Sequence, residues 1–328
     1  MASEFDLIER YFAPLAGPEG LGLQDDAALI APDPGQDLVL TTDANVAGRH
    51  FLPNEAPGIV ARRLLRTNLS DLAAKGARPF GYLLTLALPE SVDEAWIAAF
   101  AEGLARDQAK YGIELLGGDT VSTDGPVVAS IAALGTVSTG RMIRRSRATP
   151  GDALFVTGAI GDGYFGLEAA TGGLPALGHA DREYLTDRFR LPRPPMAFGA
   201  ALSAAGLAHA AADVSDGLVA DAGHIAKASG VAIVIRAADV PLSAAGQVVV
   251  GAAPARLAEA ITGGDDYQIV FTADPDAAPA IRALANGLGT MVTEIGHVMV
   301  RDAANPRIIV LDAAGQPMTL ASLGYSHR

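Results

Sequence analysis

Polar and apolar positions alternate along this chain with two periods, and the period switches repeatedly between that of a strand and that of a helix. Residues 37–42 read as a strand that ends at Asp43. Residues 59–77 read as a helix, with apolar or small side chains at Ala61, Leu64, Leu65, Leu69, Leu72 and Ala73. Pro79 stops that helix, and 82–88 is an apolar strand. Ser91-Val92-Asp93-Glu94 has the spacing of a capping box before a helix carrying Trp96, Ile97, Phe100 and Leu104. Strands at 113–116 and 127–137 complete the first half. A basic connector, Arg141-Met142-Ile143-Arg144-Arg145-Ser146-Arg147, and the turn Thr149-Pro150-Gly151-Asp152 follow, dividing the chain into expected domains at 1–148 and 149–328. The second half repeats the alternation, with strands at 153–156, 211–214, 231–235, 267–272 and 291–300. Helices are expected at 163–171, 197–205, 218–228 and 275–286. The pattern predicts an α/β (α+β) protein of two domains, as the length of 328 residues also suggests.

Composition narrows the chemistry. Half the residues are apolar and 19% are charged, so the chain is expected to fold into cores. No apolar stretch approaches the roughly 18 residues of a membrane span, and Met1-Ala2-Ser3-Glu4-Phe5-Asp6 has no apolar signal core, so a cytoplasmic location is expected. There is no cysteine, which removes disulfides, thiolate nucleophiles and zinc–cysteine or iron–sulfur sites. A net charge of −13 argues against nucleic-acid binding, which needs a basic surface. The only lysines are Lys75, Lys110 and Lys227, none of them in a Walker-type loop. Phosphate binding would therefore depend on arginine and on magnesium held by short carboxylates.

Five motifs place such carboxylates at the expected ends of elements: Gln24-Asp25-Asp26-Ala27-Ala28, Thr41-Thr42-Asp43, Asn68-Leu69-Ser70-Asp71, Gly117-Gly118-Asp119-Thr120 and Asp213-Val214-Ser215-Asp216-Gly217. Taken singly, an acid in a turn or at a strand end reads as a cap or turn residue. Asn68-Leu69-Ser70-Asp71 is different, because three poor helix formers crowd an otherwise apolar helix and Asn68 and Asp71 share one face. The last motif joins a strand to a helix, where backbone N–H groups meet phosphate while carboxylates face a metal. The six histidines show no zinc spacing, and Gly158-Ala159-Ile160-Gly161-Asp162-Gly163 lacks the G-x-G-x-x-G order of a dinucleotide site.

In order, these motifs resemble those of thiamine-monophosphate kinases, of the superfamily that also holds aminoimidazole ribonucleotide synthetase. The resemblance runs from Glu4-Phe5-Asp6-Leu7-Ile8 to Gly324-Tyr325 and includes Gly48-Arg49-His50-Phe51, Pro150-Gly151-Asp152 and Gly263-Gly264-Asp265-Asp266-Tyr267. It implies ATP-dependent phosphorylation of thiamine monophosphate to thiamine diphosphate with several Mg2+ ions. It also implies a homodimer in which the N-terminal α/β domain forms a shared β-barrel and the C-terminal α/β domain closes over the nucleotide. By similarity, Asp26, Thr41, Thr42, Asp43, Asp71, Asp119, Asp213 and Asp216 match metal-binding positions. Asp26, Asp43, Asp71, Asp119 and Asp213 would act in catalysis through the metal, with no general base. Gly118, Asp119, Arg145, Ser215 and Tyr111 match the nucleotide side, and His50, Asp265 and Tyr325 the thiamine phosphate side. The chain departs from the family pattern in three places. Gln24 stands for a glycine, Lys75 for a frequent methionine, and Asp265 for a glutamate one methylene longer. The competing expectations are another ATP-dependent enzyme of the superfamily, close to aminoimidazole ribonucleotide synthetase, and a non-catalytic cation-binding scaffold. The selenophosphate-synthetase and hydrogenase-maturation branches normally need cysteine or selenocysteine.

Overall fold

A computed structural model of the chain describes residues 4–302, 304 and 306–325; the opening Met1-Ala2-Ser3 lies outside them. The fold is mixed α/β in two compact units, Met1–Leu72 with Ala77–Gly140, and Ala73–Gly76 with Arg141–Arg328. Among the described residues no helix is long and apolar enough to cross a membrane.

The first unit begins with short helical turns, α1 (Glu4–Leu7) among them. It continues through β1 (Gln36–Val46), α2 (Pro57–Ala74), β2 (Arg78–Leu88), α3 (Glu94–Tyr111), β3 (Glu114–Ser122) and β4 (Val128–Ser138). The sheet runs β1-β4-β2-β3, with β4 antiparallel to both neighbours and β2 parallel to β3. Alternation in β2 buries Tyr82, Leu84 and Leu86 and exposes Leu83 and Thr85, the period-2 pattern of a sheet with one covered face. Leu64, Leu65, Leu69 and Leu72 of α2 are fully buried, as are Phe100 and Leu104 of α3. Each such side chain stabilises the unit by about 1.5–3 kcal/mol. The two helices approach closely where a Cβ on Gly103 would lie 2.7 Å from the Gly58 Cα. One helical turn further on, the buried Asp107 carboxylate joins them, accepting from Arg66 Nε at 2.6 Å and from Arg62 Nε at 3.2 Å. Helix α3 is capped by Asp93, which accepts the Trp96 N–H at 2.8 Å, rather than by Ser91. Asp93 is the residue three positions before Trp96, and the chain ends the helix at Gly112 with φ +64°.

The second unit contains β5 (Ala153–Thr157), α4 (Asp162–Ala170), α5 (His179–Arg190), α6 (Met196–Ala205), β6 (Ala210–Asp213), α7 (Leu218–Ser229) and β7 (Ala232–Arg236). It continues with α8 (Ala244–Ala252), α9 (Leu257–Thr262), β8 (Ile269–Ala273), α10 (Ala278–Gly287), β9 (Val292–Met299) and β10 (Ile308–Leu311). Its sheet runs β10-β7-β9-β5-β8-β6. Strands β5, β6 and β8 are buried at every position, so both faces are covered and the strands read as unbroken apolar runs. Leu154 and Val156 pack with Ile225 and Ile233 in one cluster, while Phe155 packs with Phe198, Phe271 and Ile281 in another.

Two expected strands prove longer than the apolar pattern implied. β1 continues past Asp43 to Val46 and β3 past Leu116 to Ser122. In both, pairing to an apolar neighbour extends a stretch that polar residues and glycine interrupt. Asp43 stands opposite Ile131, and Gly118 opposite Leu84. Two of the carboxylates expected at element ends, Asp43 and Asp119, therefore stand within strands, while Asp71 stands inside the helix where the sequence put it.

Candidate active site

In the first unit, β1 and α2 bring Thr41, Asp43 and Asp71 together. Thr41 Oγ1 donates to Asp71 Oδ2 at 2.5 Å, and Asn68 Oδ1 accepts the Asp43 N–H at 2.9 Å. Asn68 in turn donates to the Leu64 carbonyl at 3.0 Å, which explains a polar residue at a fully buried helix position. Thr42, next in the strand, donates to the Ile131 carbonyl at 2.9 Å. His50 lies in the turn after β1, where its Nδ1 accepts the Val46 N–H at 3.1 Å and Arg63 holds its carbonyl at 2.7 Å. The imidazole is thus fixed through one nitrogen.

Gly118 and Asp119 lie on β3, Asp119 opposite Thr85. Gly118 is required by close approach: a Cβ there would overlap the Leu84 carbonyl oxygen and lie 2.8 Å from its carbon. Within the sheet, β4 and β2 stand between Asp43 and Asp119, a separation of about 14 Å at roughly 4.8 Å per strand. Asp26 occupies an exposed bend. Gln24 before it has an ordinary φ of −104°, and the left-handed turn is made earlier, by Leu21, Gly22 and Leu23. Tyr111 ends α3, its ring under Arg66 at 5.7 Å and Lys110 at 4.8 Å. It enters β3 from the end opposite Asp119, so the chain does not bring these two together.

The second unit gathers three motifs. Asp213 ends β6 and is buried, and residues 214–217 lead into α7. The loop 263–267 lies directly against this segment: Asp265 N–H donates to the Ser215 carbonyl and Tyr267 N–H to the Val214 carbonyl, both at 2.8 Å. The Tyr325 N–H reaches the Asp216 carbonyl, also at 2.8 Å. Ser215, Asp216, Asp265 and Tyr325 therefore share one neighbourhood. Arg145 belongs to it as well, since its charge acts on Asp221 and His224. Lys75 Nζ donates to the Ala211 carbonyl on β6 at 2.7 Å, two residues before Asp213.

Reasoning from sequence alone missed two groups. Asp221, in the first turn of α7, accepts the N–H groups of Ser215 and Asp216 at 3.0 and 3.1 Å. Burial, with the Asp216 charge beside it, pushes the Asp221 carboxyl up to about 7. Asp216, Asp221 and His224 form the one cluster of three possible metal-ligating side chains among the described residues. Asp266 accepts the N–H groups of Gly161 and Gly163 at the start of α4. An acid in the first helical turn was the only available signal for Asp221. Asp266 had none beyond being the second of two aspartates.

The donor set suits a hard cation. Asp26, Asp71, Asp119 and Asp216 have no basic side chain within ion-pair distance among the described residues. By contrast, Asp107, Asp187 and Asp239 each pair with arginine. Oxygen ligands left without a cationic side chain are what magnesium takes.

Two family models cover most of the chain: AIR synthase related protein, N-terminal domain, over residues 24–137, and AIR synthase related protein, C-terminal domain, over 149–308. A thiamine-monophosphate kinase of Caulobacter vibrioides is 45% identical over 330 residues, covering 99% of this chain and 91% of the relative. The chain belongs to the thiamine-monophosphate kinase family. The crystal structure of the Stenotrophomonas maltophilia member superposes with a TM-score of 0.83 at 39% identity, covering 94% of this chain and 96% of the other. The structure of AaThiL complexed with AMPPCP and TMP gives 0.77 at 29% identity, covering 99% and 97%. Membership is thus carried by both units together and not by any one motif.

Proposed function

We propose that this chain transfers the γ-phosphoryl group of ATP to thiamine monophosphate, giving thiamine diphosphate and ADP, in the cytoplasm and with several Mg2+ ions. The observation that carries the reading is that Asp26, Asp71, Asp119 and Asp216 have no basic partner among the described residues, in a chain that matches thiamine-monophosphate kinases end to end. Magnesium would be held by Asp26, Thr41, Thr42, Asp43, Asp71, Asp119, Asp213 and Asp216, and when bound it supplies the positive charge that lets two phosphates approach. Gly118, Asp119, Arg145, Ser215 and Tyr111 serve the nucleotide. His50, Asp265 and Tyr325 serve the thiamine phosphate. The acceptor is a phosphate monoester with a second pKa of about 6, largely dianionic at neutral pH, so no side chain has to remove a proton. The transfer is direct and in line, without a phosphoenzyme.

The enzyme acts as a homodimer whose sheets close into a shared barrel. Both β1 and β3 are sheet edges, and an edge is completed by a strand of a second copy. Pairing β1 with the β3 of a second copy would bring Asp43 of one chain and Asp119 of the other onto neighbouring strands, where within one sheet three strand spacings, about 14 Å, lie between them.

Incubation with Mg-ATP and thiamine monophosphate should yield ADP and thiamine diphosphate, and EDTA should abolish the reaction until magnesium is restored. Ping-pong kinetics with a labelled protein intermediate would overturn direct transfer. The dimeric site is tested by mixing chains. Asp43→Asn and Asp119→Asn enzymes, each inactive alone, should regain turnover after co-refolding, because one site of the mixed dimer keeps both carboxylates. Absence of recovery in a confirmed mixed dimer would refute a shared site.

A further inference from the structure

The loop 263–267 is held in a conformation that its residues do not favour. Gly264, Asp265 and Tyr267 have φ of +77°, +69° and +52°. Two of these are side-chain-bearing residues in the left-handed region, a state costing each of them about 1 kcal/mol or more. Surrounding contacts must therefore impose it. On one side stand the backbone bonds from Asp265 and Tyr267 to residues 214–215, with Gly264 so close that a Cβ would lie 2.8 Å from the Asp216 carbonyl carbon. On the other side stand the Tyr164 ring, packed against Gly263, and the Asp266 side chain. Asp266, only 4% exposed, accepts the Gly161 N–H on Oδ2 at 2.9 Å and the Gly163 N–H on Oδ1 at 3.0 Å. A Cβ on Gly163 would overlap the Asp265 carbonyl and lie 2.9 Å from its Cβ, so the start of α4 lies directly against Asp265.

We propose that Asp266 is a positioning residue for substrate selection: by clamping the loop onto the two N–H groups of α4 it fixes the left-handed backbone that aims the Asp265 carboxylate at the thiamine moiety. An aspartate has a single methylene of reach, so a backbone displacement at this position is not recovered by side-chain rotation. The inference rests on the reading of Asp265 as a substrate contact. It adds that the glycine-rich start of α4, which lacks nucleotide-binding spacing, serves the acceptor site by providing donors to Asp266. Asp221 also holds the 214–217 segment, accepting the Ser215 and Asp216 N–H groups, so the nucleotide side should be much less sensitive to Asp266 than the acceptor side.

The test is steady-state kinetics of the full chain with each substrate varied. Asp266→Ala should raise KM for thiamine monophosphate about tenfold or more while KM for Mg-ATP stays within about twofold. Asp266→Asn, which keeps one acceptor, should fall between. In an Asp265→Ala background, adding Asp266→Ala should change KM for thiamine monophosphate little, since the route through Asp265 is already lost. Equal effects on both substrates, or a full effect of Asp266→Ala without Asp265, would make Asp266 a plain helix cap and overturn the proposal. A wild-type chain that forms no thiamine diphosphate would instead sink the kinase reading and this inference with it. Should Asp266→Ala not fold, hydrogen exchange on the wild type decides. Thiamine monophosphate must protect the segment containing Gly161 and Gly163 and a non-hydrolysable ATP analogue must not; equal protection by both, or by neither, refutes the clamp.

Discussion

Substituting alanine for Gly118 tests whether the backbone of β3 itself positions the nucleotide side of the site. The added Cβ would overlap the Leu84 carbonyl oxygen and lie 2.8 Å from its carbon and 3.1 Å from the Leu84 nitrogen. Carbon–carbon contacts settle at about 3.5–4.0 Å, so β3 must move away from β2 by about 1 Å at this point. No side chain can absorb the displacement, because all three neighbours are backbone atoms. Overpacking of this kind costs about 1–3 kcal/mol, and weakening the ladder bonds around the Leu84–Gly118 pair adds about 1 kcal/mol. The midpoint of thermal unfolding should fall by roughly 5–10 °C. A displacement of about 1 Å at a reacting centre costs on the order of a hundredfold in rate, and Asp119 moves with its neighbour. We therefore expect kcat/KM for Mg-ATP to drop about a hundredfold in Gly118→Ala.

Gly117 provides the control. A Cβ there would meet only the Leu83 Cδ2, at 3.3 Å, the far end of a flexible side chain. Gly117→Ala should lose less than about 1 kcal/mol and keep kcat/KM within about threefold of wild type. The paired assay is coupled ADP formation at 25 °C (about 298 K), with calorimetry on the same samples. If the two variants behave alike, or Gly118→Ala keeps wild-type kcat/KM despite a lowered midpoint, then the β2–β3 approach does not set the site geometry.

Other expectations follow from single contacts. Asp71→Asn should lower turnover about a hundredfold or more, with little change in the unfolding midpoint; near-wild-type turnover would remove Asp71 from the metal set. Asp107→Ala removes the buried carboxylate to which Arg66 is ion-paired and should cost about 3–5 kcal/mol by denaturant titration, whereas Arg66→Met with Asp107→Leu should recover most of it. A loss below about 1 kcal/mol in the single variant would contradict the buried pair. Burial pushes the Asp266 carboxyl up to about 8 from its ordinary 3.8, against the pull of the Gly161 and Gly163 N–H groups. The folded chain then holds a proton that the unfolded chain releases near its ordinary pKa of about 4, so this group's contribution is full below pH 4 and declines as pH rises toward 8. The gap in unfolding midpoint between wild type and Asp266→Asn should narrow over that window, and a widening gap would refute the sign.

Much of the fold was legible because burial patterns are written in side chains. The strand with Tyr82, Leu84 and Leu86 and the helix with Leu64, Leu65, Leu69 and Leu72 stand where the apolar period put them. Helix α5 was not legible, since Leu185 and Phe189 are its only buried residues and the other ten positions carry no apolar stripe. The site was legible as a list of residues and not as an arrangement. Residues 213–217, 263–267 and 324–325 meet through main-chain bonds, from Asp265 N–H to Ser215 and from Tyr325 N–H to Asp216. Every residue type but proline offers those groups, so no pattern of side chains announces the contact.

Of the three lysines, Lys75 reaches a strand carbonyl and Lys110 lies over the Tyr111 ring. Arginines neutralise the aspartates that hold the fold together, such as Asp107 between α2 and α3. Four of the aspartates proposed to hold magnesium, Asp26, Asp71 and Asp119 in the first unit and Asp216 in the second, receive no such neutralisation among the described residues, in a chain whose net charge is −13. A surface of that sign repels a nucleotide unless cations come with it. The proposed metal dependence follows from where the chain places its basic groups, and placing a lysine beside Asp71 or Asp119 should oppose magnesium binding instead of assisting phosphate.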